Sequence, residues 1–462
     1  MRAARAEVGQ WEMADTGRDD TPRTKRSRLE SGDAVLGVVG LGYVGLPLAA
    51  EAARHGIRVI GFDVDSGVVE SVNEGLSHIA DLPGSEVAGA RDRGLLEATA
   101  DMSRLGRCDA VSICVPTPLS KTRDPDISHV LAAAEAVATV LREGQLIVLE
   151  STTYPGTTRE VVLPILRRSG LEPGTDFHLC FSPERVDPGN ETWKTGNTPR
   201  IIGGVTPRCT EVGTAFYSRF VDDVVTVSSA EAAELAKILE NAFRAVNIGL
   251  VNEMALIADR LGLDIWEVIE AAATKPFGFM KFTPGPGLGG HCLPVDPHYL
   301  SWKMRAMDYR TRFIETASEI NAEMPTFVVG KVRDALNGAR KPVNGSRIVL
   351  LGVAYKTDVA DVRESPAMDI LELLERDGAE VLYHDPHVPE WPTRDGRVLR
   401  SQPFADGLLQ GADAVVIVTD HSAFDAREIY RMSSILVDAR NATAGVPESR
   451  RTARPQRWIV KG

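Results

Sequence analysis

Residues 34–63, AVLGVVGLGYVGLPLAAEAARHGIRVIGFD, decide the fold of this chain. The run from Ala34 to Val39 has the length and apolar composition of a buried strand, and an apolar helix follows from Leu46 to Arg54. Gly56 ends this helix, and a second strand runs from Arg58 to Phe62. The stretch therefore predicts a βαβ unit, in which a helix connects two parallel strands.

The turn between the first strand and the helix is Gly40-Leu41-Gly42-Tyr43-Val44-Gly45, and Asp63 ends the second strand. In a dinucleotide site, Gly40 makes the tight turn, Gly42 lets the backbone approach a pyrophosphate, and Gly45 allows close helix–strand packing. The positive end of the helix stabilises the phosphate charge. Asp63 can accept hydrogen bonds from ribose hydroxyls and would repel a 2′-phosphate, so the pattern favours NAD over NADP. The alternative is an ordinary glycine-rich turn.

Strands and helices continue to alternate after this unit. The runs VSICV, LIVLE and FHLCF read as strands, and helices are expected over residues 130–141 and 158–168. This alternation predicts a parallel sheet with helices on both faces. The pattern then changes to one helical stretch that is capped by Ser228 or Ser229 and reaches Leu261. Because it is far longer than the roughly 12-residue mean, we expect it to join domains and to form a dimer interface; the alternative is a plain core helix.

A second α/β domain begins near Arg347. RIVLLG, AEVLYHD, GADAVVIVTD and SILVDAR read as strands, and residues 365–376 as a helix. CDAVSICVPTP in the first half resembles ADAVVIVTDHS in the second, which suggests two nucleotide-binding halves that face one crevice. The predicted fold is therefore α/β, with two Rossmann-like doubly wound domains joined by a long central helix. The predicted regions are a disordered tail (1–32), an NAD-binding domain (33–227), a central helical dimerisation and catalytic region (228–325) and a C-terminal Rossmann-like domain (326–462).

Composition limits the classes of function. The chain has 462 residues, 43% of them hydrophobic, and a net charge of −12. This acidic balance argues against a nucleic-acid partner. No apolar run approaches the roughly 20 residues that span a bilayer, and no signal peptide is visible. Five cysteines without a CxxC motif fit a reducing cytosol and no metal site. We expect a cytoplasmic protein that binds neither membrane nor nucleic acid.

Residues 282–297, FTPGPGLGGHCLPVDP, are the most unusual stretch. Their glycine and proline density excludes regular structure as far as Gly290. Cys292 lies in this loop, beside His291 and near the start of a helix, where a thiolate is stabilised, and we interpret it as a nucleophile. We expect Asp296 to cap that helix, with or without a chemical role. The other four cysteines are interpreted as small buried hydrophobes, which is also the alternative for Cys292.

Four further side chains are candidates for the same crevice. Lys237 and Asn241 are spaced i, i+4 on the long helix, among apolar neighbours, and together can hold a developing oxyanion; the alternative is a solvated helix face. Thr117 in VPTP and Thr153 in STTYPG end later strands and should face the cofactor. The alternative for both threonines is a turn role alone.

At these residues the sequence resembles the UDP-glucose/GDP-mannose dehydrogenase family, over about Val35 to Thr443. The resemblance rests on GLGYVGLPLA, VPTP, ESTTYPGTT, SPERVDPG, AELAKILENAF, GPGLGGHCLPVDPHYLSWK and KTDVADVRESPA. It implies an N-terminal NAD domain, a dimerising central helix, a C-terminal domain that binds a UDP-sugar, and a four-electron oxidation with two NAD. It also implies a homodimer or a higher homo-oligomer.

Details of these motifs resemble the UDP-N-acetylhexosamine branch. UDP-glucose enzymes usually have GGSC and a lysine before the aspartate, whereas this chain has GGHC and Val295. LPVDPHYLSWK is more similar to the N-acetylglucosamine enzymes than to the N-acetylmannosamine enzymes. UDP-glucose enzymes carry a PEFL-type motif, which is absent from this chain. Glu184 matches the glutamate of that motif, but the second glutamate that the motif often carries falls at Pro188 here.

The resemblance implies roles for individual residues. Cys292 would be the covalent nucleophile, with Lys237 and Asn241 on the oxyanions, Asp296 as general base or water-ordering group, and Glu184 near the same carbon. Cofactor contacts are expected from Gly40, Gly42, Tyr43, Val44, Gly45, Asp63, Thr117, Thr153 and Arg363. Substrate contacts are expected from Arg185, Phe277, Lys281, Gly287, Gly289, Gly290 and Lys356, and Arg363 and Lys356 would close the C-terminal domain over the ligands.

Three other interpretations remain. A two-electron β-hydroxyacid dehydrogenase shares the first motif but has no use for Cys292 or for a second nucleotide domain. A non-catalytic NAD or nucleotide-sugar sensor would not need the four groups Lys237, Asn241, Cys292 and Asp296 together. The same chemistry on UDP-N-acetylmannosamine, UDP-glucose or UDP-N-acetylgalactosamine is the third.

Overall fold

The computed structural model describes Leu29 and residues 34–79, 81–120, 124–187, 189–190, 192–290, 292–446 and 456–459. The tail predicted over residues 1–32 lies, apart from Leu29, outside this part of the chain. His291 and Pro188 also lie outside it.

The first domain is built on an eight-stranded sheet in the order β3-β2-β1-β4-β5-β6-β7-β8. Its strands are β1 Val35–Val39, β2 Arg58–Phe62, β3 Leu96–Thr99, β4 Ala110–Ile113, β5 Leu146–Leu149, β6 His178–Phe181, β7 Arg200–Gly204 and β8 Val224–Thr226. Its α-helices are α1 Gly45–Arg54, α2 Ser66–Asn73, α3 Gly84–Asp92, α4 Ser128–Val140, α5 Leu163–Leu166 and α6 Pro207–Tyr217. The βαβ unit predicted from residues 34–63 is thus present as β1, α1 and β2.

Two features of this domain differ from the sequence prediction. Strand β7 runs antiparallel to β6, because an irregular loop, not a crossover helix, connects these neighbours. The helix expected over residues 158–168 is divided into a π-helical turn Thr158–Val162, the short α5 and a 3₁₀ turn Arg167–Ser169. Pro164 stands in this segment and has no N–H to donate to a regular ladder.

A long helix follows the first sheet. Helix α7 spans Ala230–Leu261, and Ser229 caps it by accepting a hydrogen bond from the Ala232 N–H. Gly262 ends the helix in the left-handed conformation, with φ 68°. The predicted cap and end of the long helix are both confirmed.

Three more helices complete the central region: α8 Ile265–Ala273, α9 Asp296–Arg305 and α10 Arg312–Gly338. Helix α10 packs along α7 so closely that a Cβ on Gly249 would lie 3.1 Å from the Ala317 Cα. The sequence analysis does not identify α10, because Pro325 stands inside it and proline normally marks a helix end. The helix runs across the domain boundary expected at residues 325 and 326.

The second domain has a parallel five-stranded sheet in the order β10-β9-β13-β14-β15. Its strands are β9 Arg347–Leu351, β10 Glu380–His384, β13 Ala414–Ile417, β14 Ile435–Asp438 and β15 Gln456–Ile459, and a hairpin pairs β11 Glu390–Pro392 with β12 Val398–Arg400. Its helices are α11 Pro366–Arg376, α12 Asp406–Gln410 and α13 Ala426–Met432. The predicted fold class is confirmed: two Rossmann-like sheets with a long helix between them.

The strand orders place one crevice in each domain. In an open α/β sheet, ligands bind beyond the carboxyl ends of the strands, where the strand order reverses. This point lies between β1 and β4 in the first sheet and between β9 and β13 in the second. The Lys356 Nζ, in the loop after β9, lies 2.9 Å from the Asp187 Oδ1, in the loop after β6. The two crevices therefore adjoin each other.

Candidate active site

The loop before Cys292 is held by the second domain. The Gly290 N–H donates a hydrogen bond to the Arg363 carbonyl oxygen at 2.9 Å. The Tyr355 ring lies directly against this loop, since a Cβ on Gly290 would be 2.9 Å from the Tyr355 Cε2. Gly290 also has a positive φ of 81°, which a larger residue rarely adopts. Glycine at this position therefore lets the second domain make contact two residues before the thiol.

Asp296 is the first residue of α9, and its side chain is 1% exposed. The prediction that Asp296 caps this helix is wrong: the N-cap is Val295, and no side chain caps the helix. The Asp296 Oδ2 instead accepts a hydrogen bond from the Asn241 Nδ2 at 2.5 Å. Burial raises the pKa of Asp296 to about 6, although the charge of Lys237 and the bond from Asn241 oppose the rise. A carboxyl with this pKa can take up a proton near neutral pH.

Lys237 and Asn241 lie one turn apart on α7, on the side that faces α9. Lys237 is only 8% exposed, so the structure excludes the solvated helix face as an alternative. Its ammonium charge lowers the pKa of both Asp296 and Cys292. The structure thus brings together Lys237, Asn241, Cys292 and Asp296, which the sequence analysis nominated from two distant segments.

Cys292 is an exposed residue, unlike the other four cysteines, which are buried as expected. Although the residue as a whole reaches solvent, protein packed around its thiol raises the pKa of the thiol to about 11. The Asp296 carboxylate adds to the rise, while Lys237 and Arg363 oppose it. This direction is opposite to the expected stabilisation of a thiolate. The main reason is burial of the thiol, and the Asp296 carboxylate at the start of the nearby helix adds to the rise. The thiol must therefore lose its proton to a neighbouring base when it forms a bond.

Glu184 lies in the loop after β6, and three hydrogen-bond donors fix the orientation of its carboxylate. The Glu184 Oε1 accepts from the N–H groups of Arg185 and Val186 at 2.7 and 2.6 Å. The Oε2 accepts from the Arg200 Nη2 at 3.0 Å. Arg185, expected to contact the substrate, instead pairs with Glu240 on α7 at 2.8 Å. In this structure the Arg185 guanidinium fixes the loop to the helix.

The glycine-rich turn after β1 has the shape that a dinucleotide requires. A Cβ on Gly45 would lie 1.8 Å from the Gly40 carbonyl oxygen, so only glycine permits this packing. A Cβ on Gly42 would meet nothing within 4 Å, which means that the backbone faces open space there. The Asp63 Oδ2 accepts from the Leu41 N–H at 2.8 Å and is held at the end of β2. These positions fit the pyrophosphate and the ribose of NAD.

Other predicted cofactor residues border the same crevice. The Thr153 Oγ1 is buried and has no hydrogen-bond partner within the described residues, so it is available to a bound molecule. Thr117 is buried, and its carbonyl oxygen accepts from the Tyr299 hydroxyl. Val44 precedes α1 as its N-cap residue. The Arg363 guanidinium lies 4.9 Å from the centre of the Tyr43 ring, which links the second domain to the glycine-rich turn.

The predicted substrate residues divide into two groups. Gly287, Gly289 and Gly290 lie where the loop meets the second domain: Cβ atoms on the first two would approach Pro366 and Tyr355. Phe277 is 72% exposed, and Lys281 pairs with Glu270 at 2.5 Å. Among the described residues, no hydrogen bond or ion pair joins Lys281 to the cluster around Cys292.

Three residues at the site were missed by the sequence analysis. Tyr355 lies in the loop after β9, four residues beyond Leu351, and a position in the loop after a buried strand is a signal that it shares with Thr117. Arg440 likewise lies in the loop after β14, two residues beyond Asp438. A Cβ on Gly285 would lie 2.6 Å from the Arg440 Nη1, so the guanidinium packs against the glycine-rich loop. No local pattern distinguishes Arg200, a single basic residue at the start of β7.

The fold and this site together define an NAD-dependent dehydrogenase with a second nucleotide-binding domain. Residues 34–221, 231–323 and 349–445 match, in turn, the NAD binding, central and UDP binding domains of the UDP-glucose/GDP-mannose dehydrogenase family. The chain belongs to this family and is an NAD-dependent nucleotide-sugar dehydrogenase.

Its relatives have different substrates in their names. It is 36% identical, over 419 residues, to the NDP-N-acetyl-D-galactosaminuronic acid dehydrogenase of Ralstonia nicotianae, with 88% of this chain and 95% of that one covered. It is 35% identical to the UDP-N-acetyl-D-glucosamine 6-dehydrogenase of Pseudomonas aeruginosa over 358 residues, 77% and 83% of the two chains. The solved UDP-D-ManNAc dehydrogenase of Pyrococcus horikoshii superposes with a TM-score of 0.82 at 35% identity, covering 90% of this chain and 97% of that one. The comparisons therefore support the family and do not single out the N-acetylglucosamine enzymes.

No helix in the described ranges combines the length and the apolar character that crossing a bilayer requires.

Proposed function

We propose that this chain oxidises the C6 alcohol of a UDP-N-acetylhexosamine to a carboxylate, through a covalent bond to Cys292. The observation that carries the proposal is the cluster of Cys292 with Asp296, Asn241 and Lys237 where the two domains adjoin. A two-electron dehydrogenase needs an acid–base group beside the alcohol but no sulfur nucleophile. A thiol beside a buried carboxyl with a raised pKa suits a reaction that passes through an acyl enzyme.

NAD, when bound, supplies the hydride acceptor for both oxidations, so two molecules are reduced for each sugar. Between the oxidations, the Cys292 sulfur adds to the C6 aldehyde, and the thiol proton is transferred by way of Asp296 to the new hydroxyl oxygen. The second oxidation converts this thiohemiacetal into a thioester. Water then forms a bond to C6 as the C–S bond breaks, one water proton returns to the sulfur, and the carboxylate leaves with release of the other proton.

The charge and position of each site residue determine its role in this reaction. Lys237 and Asn241 donate hydrogen bonds to the oxygen on C6 as negative charge develops there, which lowers the barrier to attack on the carbonyl. Asp296 accepts protons because its pKa is about 6. Glu184 orients the hydrolytic water, since its carboxylate is fixed by three donors and keeps a free lone pair.

The first candidate substrate is UDP-N-acetylglucosamine, as the sequence motifs suggest. UDP-N-acetylmannosamine is the second, and it is favoured by the extensive superposition on the Pyrococcus horikoshii structure. These sugars differ in configuration at C2, so a panel of UDP-sugars assayed for NADH, with mass spectrometry of the product, tests the choice. Two NADH per sugar and a product carboxylate support the proposal. One NADH and an aldehyde product would contradict it.

We further propose that α7 forms a homodimer interface. Large apolar side chains recur along its exposed side at spacings of three, four or seven residues. They are Leu235, Leu239, Phe243, Leu250, Met254, Ile257 and Leu261. Such a continuous apolar stripe on a helix about 48 Å long is typical of a surface that packs against another protein surface. A second copy of α7 presents a matching stripe.

A further inference from the structure

A chain of buried hydrogen bonds lies behind Glu184. Arg200, the first residue of β7, is 4% exposed, and its guanidinium bridges two carboxylates. The Nη1 donates to the Glu150 Oε2 at 2.5 Å, and the Nη2 donates to the Glu184 Oε2 at 3.0 Å. Arg200 thus joins a group of the candidate active site to a carboxylate at the end of β5.

The far end of this chain is fixed by the first domain. The Tyr217 hydroxyl donates to the Glu150 Oε1, and the Ser112 Oγ lies 2.7 Å from the same hydroxyl. The Arg200 guanidinium also lies 5.4 Å from the centre of the Tyr217 ring. Burial of a charge is unfavourable unless every polar atom finds a partner. Glu150 and Glu184 pair with the two terminal nitrogens of Arg200, and Tyr217 and Ser112 hold Glu150 in place in turn, so the guanidinium is fixed from both sides.

At its near end, the chain reaches the nucleophile through Glu184. Burial and Asp296 raise the pKa of the Cys292 thiol most, and the Glu184 carboxylate adds to the rise, so its charge acts on the sulfur. Because the two backbone N–H groups hold only Oε1, the position of Oε2 depends on Arg200. The Oε2 is the oxygen that keeps a lone pair for another donor.

We propose that Arg200 is a positioning residue for hydrolysis of the acyl enzyme, a role that rests on the function proposed above. Its guanidinium holds the Glu184 Oε2 where it accepts a hydrogen bond from the attacking water. Arginine suits this role and lysine does not, because only a guanidinium can donate to two carboxylates from one rigid plane. Arg200 acts through Glu184 and does not touch the substrate.

The competing role for Arg200 is purely structural: its ion pair with Glu150 would only hold β5 and β7 together. This role makes a different prediction. Loss of a purely structural ion pair would destabilise the domain and reduce every step of the reaction together. Loss of a positioning group would spare the two oxidations and slow hydrolysis alone. The enzyme would then release about two NADH per active site in a rapid burst, followed by a slow steady state.

The test compares Arg200→Lys with wild type in rapid-mixing measurements of NADH, together with the mass of the quenched protein. We expect a normal burst, a steady-state rate lower by about tenfold to 100-fold, and a sugar adduct on Cys292. The double variant Arg200→Lys/Glu184→Gln should be no slower than Glu184→Gln alone, since both changes affect one group. Arg142→Lys is the matched control. Arg142 pairs with buried Asp109, which lies before the amino end of strand β4 in the same sheet, at 2.8 Å. Its replacement should leave both the burst and the steady state unchanged.

Tyr217→Phe provides a milder variant in case Arg200→Lys does not fold. It removes only the hydroxyl that holds Glu150, and we expect a smaller decrease confined to the slow phase. The positioning role alone would be overturned if the burst rate, the steady-state rate and the thermal midpoint of unfolding all fell together. It would also be overturned if the steady-state rate did not change. A wild-type chain that releases no NADH with any UDP-sugar would overturn the proposed function as well, which makes the two failures distinguishable.

Discussion

The Asn241 Nδ2 on α7 donates a hydrogen bond to the Asp296 Oδ2 on α9, 55 residues further along the chain, at 2.5 Å. This bond brings the central helix and the cysteine loop into one site. Asp296 is deeply buried, and this burial raises its pKa to about 6, although the hydrogen bond from Asn241 and the nearby Lys237 charge oppose the rise.

The raised pKa of Asp296 predicts a pH dependence of turnover. If Asp296 accepts protons, kcat should fall as the pH drops through about 6, where the carboxylate becomes protonated. Asp296→Asn should lower kcat by about 10²-fold to 10⁴-fold and remove this acidic limb. A pH–rate profile of both proteins checks the prediction. A limb near pH 6 that persists in Asp296→Asn would assign it to another group.

The same carboxyl predicts an unusual effect on stability. The pKa of Asp296 is higher in the folded chain than the ordinary value of 3.8. Its contribution to the free energy of unfolding is therefore most favourable below pH 4 and is lost as the pH rises through about 6. Asp296→Asn should therefore raise the free energy of unfolding at pH 8 by about 1–3 kcal/mol. Chemical denaturation at pH 8 measures this change.

Asp385 provides the opposite case for comparison. Burial tends to raise the pKa of Asp385, but the hydrogen bond and charge of His421 outweigh it and lower the pKa to about 2. Its contribution is present above pH 4 and is lost as the pH falls through about 2. Asp385→Asn should destabilise the protein at pH 8. Similar shifts in both variants would show that buried charge does not govern their effects.

Removal of Lys237 should reduce catalysis far more than binding. In the proposed mechanism its ammonium stabilises charge that develops only as the oxygen on C6 becomes an oxyanion. Lys237→Met should lower kcat by about 10²-fold to 10³-fold and leave KM for the UDP-sugar within a few-fold of wild type. Lys331→Met, which removes the ion pair with Asp259 between α10 and α7, is the control. Equal losses in both variants would argue for a general effect of removing a lysine from these helices.

The apolar stripe on α7 predicts a dimer that one charge can disrupt. Leu239 is 66% exposed, and Leu239→Glu would place a carboxylate within the proposed interface. We expect light scattering to show a dimer for wild type and a monomer for the variant at micromolar concentration. Val398→Glu changes a similarly exposed side chain in the second domain and should leave the dimer intact. A wild-type monomer would refute the proposed interface.

The sequence predicts the parts of the fold that have strong local signals. The strand Arg58–Phe62, the Ser229 cap and the end of α7 at Leu261 follow from apolar runs and from capping chemistry. Helix α10 was missed because Pro325 is accommodated within a helix that tertiary packing stabilises. Local sequence cannot predict whether packing will outweigh such a signal.

The candidate site shows the same division. Residue types and spacing nominate Lys237, Asn241, Cys292 and Asp296, because chemistry restricts which side chains can serve. The direction of the Cys292 pKa shift could not be predicted, since it depends on burial and on the distance to the Asp296 charge. Arg200 was missed for a related reason: its two partners come from other segments of the chain, Glu150 and Glu184.

The most direct test of the covalent scheme is the yield of NADH per UDP-sugar from Cys292→Ala. Wild type should form two NADH and one carboxylate for each sugar consumed. Cys114→Ala, which changes a buried thiol of the first domain, should do the same. Cys292→Ala should form no carboxylate, because the aldehyde has no sulfur to capture it. Two NADH per sugar from Cys292→Ala would contradict the account.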